Sequence, residues 1–156
     1  MLKDVKSRLY DREIVELFSY CVWPGSGRIE DVLGEYKSRD VLHLYGYFEE
    51  YEDEGEEGEN KEEAAEQEQE LVGIIGFEMS GKSDLMIRHL AVKPEFRGLG
   101  YGRGLILEAV DLMKPEKVVA ETDDDAVDFF RWIGFEIESL GESFPGVERY
   151  RCTFLT

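Results

Sequence analysis

A chain of 156 residues, 42% of them hydrophobic, can bury one core and is too short for several. Its formal charge of −18 argues against a nucleic-acid partner, whose phosphates need a basic face. No apolar run approaches the ~20 residues of a membrane span and nothing resembles a secretory leader, so a cytoplasmic protein with no membrane partner is expected.

Taken in chain order, Asp11 stands where it can cap a helix whose apolar positions are Ile14, Leu17, Phe18, Cys21 and Val22. Trp23-Pro24-Gly25 breaks that helix, and Trp23 is expected to close an acceptor pocket or the core. A second short helix, begun near Ser26, presents Ile29, Val32, Leu33 and Tyr36. Residues 41–48 (VLHLYGYF) alternate as a half-buried strand does. Residues 49–70 then hold thirteen acidic residues against Lys61 alone, two thirds of the net charge. This insert between two strands is expected to be solvated and flexible, because so little apolar surface cannot offset the entropy of ordering it. A sharper alternative makes it an acidic gate for cationic substrates or a basic partner.

A strand resumes at residues 71–77, followed by a tight turn at Ser80-Gly81-Lys82-Ser83 and another strand over 84–92. Gly100 to Met113 reads as a helix with Leu105, Ile106, Ala109, Val110 and Met113 inward. Residues 117–122 form a strand, Asp123 to Ile133 a helix stopped by Gly134, and 135–140 and 149–155 the last strands. The order predicts one mixed α/β domain over residues 1–156, an antiparallel meander first and a strand–helix–strand–helix unit after it. Cys21 and Cys152 fit no metal or redox spacing; reduced, buried thiols are expected, with a disulfide as the alternative and no metal site.

Two glycine patterns compete for a phosphate. Residues 76–83 (GFEMSGKS) spell a complete nucleotide-binding P-loop, in which Lys82 would reach phosphates and Ser83 a magnesium ion. That chemistry needs a helix directly after the Lys-Ser pair, whereas residues 84–92 read as a strand and Pro94 closes the space for a helix. A hairpin turn is the better reading. The run from Val92 through Arg97-Gly98-Leu99-Gly100-Tyr101-Gly102-Arg103 has the right context, passing from a strand into a helix. Its glycines let the backbone approach oxygen atoms, the first helical turn offers unpaired N–H donors, and Arg97 and Arg103 add charge.

On these residues the chain resembles the GNAT superfamily of N-acetyltransferases. Arg97-Gly-Leu-Gly100-Tyr-Gly102, after Leu90-Ala91-Val92 at the strand end, matches its cofactor motif; residues 123–135, from Asp123-Asp-Asp-Ala126-Val127 to Gly134-Phe135, are similar to its second signature. The resemblance covers about residues 71–154. It implies a mostly antiparallel central sheet flanked by helices, with one parallel strand pair splayed apart. It implies acetyl-CoA as cosubstrate, its pyrophosphate on Arg97, Gly98, Leu99, Gly100, Tyr101, Gly102 and Arg103. Its pantetheine arm would lie along Leu90, Ala91 and Val92, one of whose N–H groups would polarise the acetyl carbonyl. The reaction implied is direct attack of a neutral amine, from a small molecule or peptide, on the thioester, by a monomer or homodimer.

Two departures touch the proton transfers. The tyrosine that commonly protonates the departing thiolate aligns with Phe130, which is left to pack against the cosubstrate; Tyr45, Tyr47 or Tyr150 could substitute. Asp123 replaces an asparagine and can accept a pantetheine amide or cap the following helix. Strand alternation turns Met86 and Arg88 towards the cleft, so the base must come from elsewhere, with Glu121 and Glu78 as candidates beside a water-mediated route. His89 falls on the opposite face and, like His43, reads as structural. Arg28 and Arg88 could bind an acceptor carboxylate or form surface ion pairs. The alternative function is an acyl-CoA-binding sensor or partner-binding module that kept the fold and lost turnover.

Overall fold

The computed structural model describes residues 1–22, 27–50, 69–81 and 83–156. The expectations for Trp23, for Lys82 and for the acidic stretch 51–68 lie outside them. β1 (Leu2–Asp4) leads through a single 3-10 turn into α1 (Arg12–Cys21) and α2 (Ile29–Ser38). β2 (Leu42–Glu50), β3 (Gln69–Ser80) and β4 (Asp84–Val92) follow, then α3 (Tyr101–Met113), β5 (Lys117–Asp123), α4 (Val127–Trp132), β6 (Glu136–Phe144) and β7 (Val147–Leu155). They make one seven-stranded sheet in the order β1-β2-β3-β4-β5-β7-β6. Every neighbouring pair is antiparallel except β4 and β5.

Alternation along the strands divides the apolar residues between two faces. On one, Ile14, Leu17 and Phe18 of α1 and Val32, Leu33 and Tyr36 of α2 cover Leu42, Leu44, Leu71, Ile74 and Ala91. On the other, Leu105, Ile106 and Ala109 of α3 and Val127 and Phe130 of α4 cover Ile75, Phe77, Leu85, Ile87, Val118 and Ala120. Each helix thus buries one stripe against one sheet face, as its i, i+3, i+4 spacing requires.

Four local readings need correction. Asp11 occupies the N-cap position of α1 but makes no capping bond; its carboxylate pairs with Arg8 Nε at 2.6 Å instead. The acidic insert does not begin at Glu49, since Glu49 pairs with Glu70 and Glu50 with Gln69 inside the β2–β3 ladder. The helix expected from Asp123 is only the six residues of α4, because residues 124–126 form a turn. Cys21 is half-buried rather than buried, while Cys152 is fully buried; both are free thiols.

The string at residues 76–83 is a hairpin: β3 runs through Ser80, Gly81 turns with φ +63°, and β4 starts at Asp84. No helix follows, so its letters cannot build a phosphate cradle. Gly76 has another purpose. A Cβ there would overlap the Tyr36 hydroxyl oxygen and come within 2.7 Å of Cζ, so the position admits only glycine while Tyr36 fills it.

Candidate active site

β4 and β5 are paired only from Asp84–Lys117 to Ile87–Ala120; beyond that they separate. The wedge between them is a cleft of about 530 Å³, within the usual range for a small-molecule site. Residues 87–92 form one wall and residues 120–123 the other. Tyr20, Cys21 and Val22 at the end of α1 line it from one face of the sheet, and Gly102, Phe129 and Phe130 from the other. The unpaired edge of β4 can therefore meet an extended chain as a neighbouring strand would.

The wall contributed by β4 contains a bulge. Gly76 of β3 faces His89 while Phe77 faces Ile87, so Arg88 is an extra residue with no partner of its own. Below it Leu85 and Ile87 point into the α3 core; above it Leu90 and Val92 pack on that core and Ala91 turns to the opposite one. His89 consequently joins Ala91 on the side of α1 and α2. Its Nδ1 lies 2.7 Å from Tyr36 Oη, and its ring meets the edge of Phe18 at 5.3 Å. Burial, then the Arg88 charge, push the His89 pKa down to about 4, so its imidazole is neutral near pH 7. His43, by contrast, lies tilted against Phe77 outside the cleft, at 5.4 Å between ring centres.

At the open end, a 3-10 turn over Pro94–Phe96 leads into the glycine loop. Gly98 and Gly100 have φ of +77° and +89°, left-handed conformations that a side chain would strain, and a Cβ on either would project into open space. Gly100 is the N-cap of α3, and the first helical bond is Gly104 N–H to Gly100 O at 3.0 Å. The N–H groups of Gly102 and Arg103 thus point out of the helix with no acceptor inside it. Gly102 lies so close to the Phe129 ring that a Cβ would stand 3.1 Å from it. These features fit a diphosphate. Arg97 packs instead over the Tyr20 ring at 4.8 Å and donates from Nε to Val92 O at 3.0 Å, fixing the loop to α1 and β4. Tyr101 sends its hydroxyl to Glu49 Oε1 at 2.6 Å, towards β2 and away from the loop's glycines. Leu99 and Arg103 are exposed beside the loop.

Leu90, Ala91, Val92, Gly102, Asp123 and Phe130 are brought together around the cleft. The Cys21 thiol lies 3.7 Å from Leu17 O and 3.6 Å from Phe18 O within α1, and burial pushes its pKa up to about 12. Asp123 does not cap α4: its Oδ1 accepts the Asp125 N–H at 3.0 Å, shaping the turn before the helix, whose N-cap position belongs to Ala126. Phe130 is buried, edge-on to Phe129 and Phe135 at 5.1 and 5.2 Å, with one side on the cleft.

The groups expected to move protons are committed elsewhere. Tyr150 is not among the residues lining the cleft; its hydroxyl donates to Asp124 at 2.7 Å and Glu148 at 3.0 Å, bonds that raise its pKa and oppose a role as acid. Glu121 lines the cleft, half-exposed, with Arg151 3.3 Å away. Glu78 is clamped between Arg88 and Arg39, the latter at 3.0 Å, and the hydrogen bond and charge of Arg88 lower its pKa. Arg88 thus takes the ion-pair alternative. Sequence reasoning missed Tyr20, Cys21 and Val22 as a cleft wall, and the Tyr36–His89 pair, because no local pattern records which helix crosses a strand or where a ladder gains a residue.

Comparison with known proteins agrees with this geometry. The model of the acetyltransferase (GNAT) family matches residues 29–135. A GNAT-family acetyltransferase structure from Desulfovibrio desulfuricans is similar over 99% of this chain and 98% of its own, with TM-score 0.67 and 16% identity. A spermidine N-acetyltransferase from Vibrio cholerae is similar over 99% and 94%, with TM-score 0.66 and 16% identity. An IAA acetyltransferase from Bacillus cereus is similar over 100% and 99%, with TM-score 0.63 and 14% identity. No curated protein sequence matches. The family match spans the glycine loop, the splayed strands and α4, and the chain belongs to the acetyltransferase (GNAT) family.

Proposed function

We propose that this protein is an acetyl-CoA-dependent N-acetyltransferase acting on an amine acceptor, and that the cleft between β4 and β5 is where the reaction takes place. The observation that carries this reading is one continuous surface. It joins Gly102, in the first turn of α3 just after the left-handed Gly98 and Gly100, to the unpaired edge of β4 and ends where the two strands meet. Bound there, acetyl-CoA supplies an activated acetyl thioester.

The N–H groups of Gly102 and Arg103 and the positive end of α3 hold the pyrophosphate. Val92 pairs through its backbone with the pantetheine arm, while the Ala91 backbone stays in the β3 ladder, and Asp123 accepts from the opposite wall. The Leu90 N–H polarises the carbonyl where negative charge develops. Phe130 and Phe129 supply an apolar contact and exclude water. Water takes the amine proton, since Glu78 is held by two guanidinium groups and Glu121 by one. Acceptor amines enter from the side of Tyr20–Val22. A cytoplasmic location and the absence of nucleic-acid and membrane partners belong to the same reading; no helix among the described residues is long and apolar enough to cross a membrane.

A second reading, an acyl-CoA-binding sensor without turnover, draws on Phe130, which has no proton to give a departing thiolate. Calorimetric titration with acetyl-CoA, followed by CoA release with polyamines, amino acids, aminoglycosides and peptide N-termini, separates the two. Binding with turnover on any amine supports the enzyme, and binding with none supports the sensor. The absence of binding removes both.

A further inference from the structure

The Tyr36–His89 pair has no part in the chemistry described so far, although His89 lines the cleft. Tyr36 is 1% exposed, and among the described residues the only hydrogen-bond partner of its hydroxyl is His89 Nδ1, at 2.7 Å. A phenol sealed from water must donate its proton to an acceptor, and this ring nitrogen is the one it meets. Nδ1 is therefore the acceptor, and a neutral imidazole then carries its hydrogen on Nε2. Among the described residues no partner meets Nε2. Yet among the described residues the only side-chain polar atom that is both buried and unpartnered is Glu108 Oε2. The Nε2–H is thus not sealed inside the protein, and the surface His89 reaches is the cleft.

Two further features hold this arrangement. The extra residue Arg88 turns His89 towards α2, and the missing side chain at Gly76 makes room for the Tyr36 hydroxyl. Both place a neutral donor on the cleft-lining residue next to Leu90. The depressed pKa of His89 keeps it uncharged throughout the range in which amines are acetylated, so it presents a hydrogen without repelling a cationic acceptor.

We propose that His89 Nε2–H and the Leu90 backbone N–H form the donor pair for the thioester carbonyl oxygen, with Tyr36 as the positioning residue that fixes the His89 tautomer. The proposal rests on the acetyl-transfer reading. As the amine nitrogen bonds to the carbonyl carbon, the carbonyl oxygen gains negative charge and draws on both donors. As the carbon–sulfur bond breaks, sulfur leaves with the bonding pair as a thiolate and the nitrogen's proton passes to water. His89 keeps its own proton throughout.

The test begins with nitrogen-15 NMR of the intact protein, whose two histidines give few signals. The expected spectrum has His89 unprotonated at Nδ1 and protonated at Nε2, with the Nε2 signal moving more on addition of acetyl-CoA than of CoA. In calorimetry, His89→Phe should lower the preference for acetyl-CoA over CoA about fivefold, while His89→Gln, whose amide keeps an N–H near Nε2, should preserve it. With an accepting amine, His89→Phe should lose about 100-fold in kcat with KM for acetyl-CoA within threefold, as removal of an oxyanion donor does. If His89→Phe fails to fold, the NMR assignment and the His89→Gln titration still decide. A proton on Nδ1, or an unchanged preference in His89→Phe, overturns the role of His89 alone. Wild-type protein that binds neither CoA nor acetyl-CoA overturns the acetyl-transfer reading, and this proposal with it.

Discussion

The two ends of the cleft are built by different means. The open end is a loop of backbone: Gly98, Gly100 and Gly102 shape it, nothing crowds Gly98 or Gly100, and its donors follow from where a helix begins. The closed end is a packing assembly in which residues far apart in sequence meet: Phe18 from α1, Tyr36 from α2, Gly76 from β3 and His89 from β4. A backbone site tolerates change around it but not within it, whereas a packed site transmits a change from any of its members. The contrast teaches where damage to binding and damage to folding should part company.

The largest expected effect tests the open end. Gly100→Glu puts a side chain and a negative charge where the pyrophosphate is proposed to sit, in a left-handed conformation. Calorimetry should show acetyl-CoA affinity falling at least 100-fold while circular dichroism keeps the native spectrum. Affinity within threefold of wild type would remove the loop from the binding site.

At the closed end, pH should act on stability through His89. Its pKa in the folded protein, about 4, is below the ordinary value of 6.5, so the unfolded chain binds the proton more readily between those values. The stability that comes from burying the neutral ring is complete above pH 6.5 and is lost as pH falls towards 4. Relative to His89→Gln, wild type should lose about 2 kcal/mol between pH 7 and pH 5, read by urea unfolding at the two pH values. A constant difference would mean the ring is not buried as described. Gly76→Ala should cost about 1–3 kcal/mol through its clash with Tyr36 and, unlike Gly100→Glu, should lower the melting temperature before it lowers affinity.

How much of this was legible in the sequence follows the same division. The glycine loop and α3 could be read because a strand, a helix start and a positive-φ turn all leave local marks within about ten residues. The splayed pair could be expected only through family resemblance, since the loss of pairing after Ile87 and Ala120 has no signature in either strand. Arg88 gave no sign of being a bulge, and without it the alternation along β4 assigned His89 to the wrong face of the sheet. Tyr36 could be recognised as one apolar position of an amphipathic helix but not as a hydroxyl with a partner fifty-three residues away. The roles expected of Asp11 and Asp123 as caps failed for one reason: another partner, Arg8 or the Asp125 N–H, was nearer.

Two smaller effects sharpen the comparison between the ends. Phe130→Tyr adds a hydroxyl at the position where related enzymes are expected to protonate the thiolate; a several-fold rise in kcat with unchanged melting temperature would identify a missing acid, and no rise would show that the thiolate leaves unassisted. Glu121→Gln should change kcat less than threefold and stability by under about 1 kcal/mol, as expected for an exposed ion pair with Arg151. A tenfold loss of kcat would return Glu121 to the role of base.

The extra residue in β4 has a consequence of its own. A strand is a two-beat rhythm, and one additional residue shifts everything after it by half a period. What Arg88 encodes is therefore less a guanidinium than a phase: it sets which side chains of the downstream half of β4 face the acetyl site and which face α3. Deleting Arg88 would leave a regular ladder with His89 and Ala91 on the face they already occupy, whereas keeping Arg88 in a ladder without the bulge would exchange His89 and Ala91 for Leu90 and Val92.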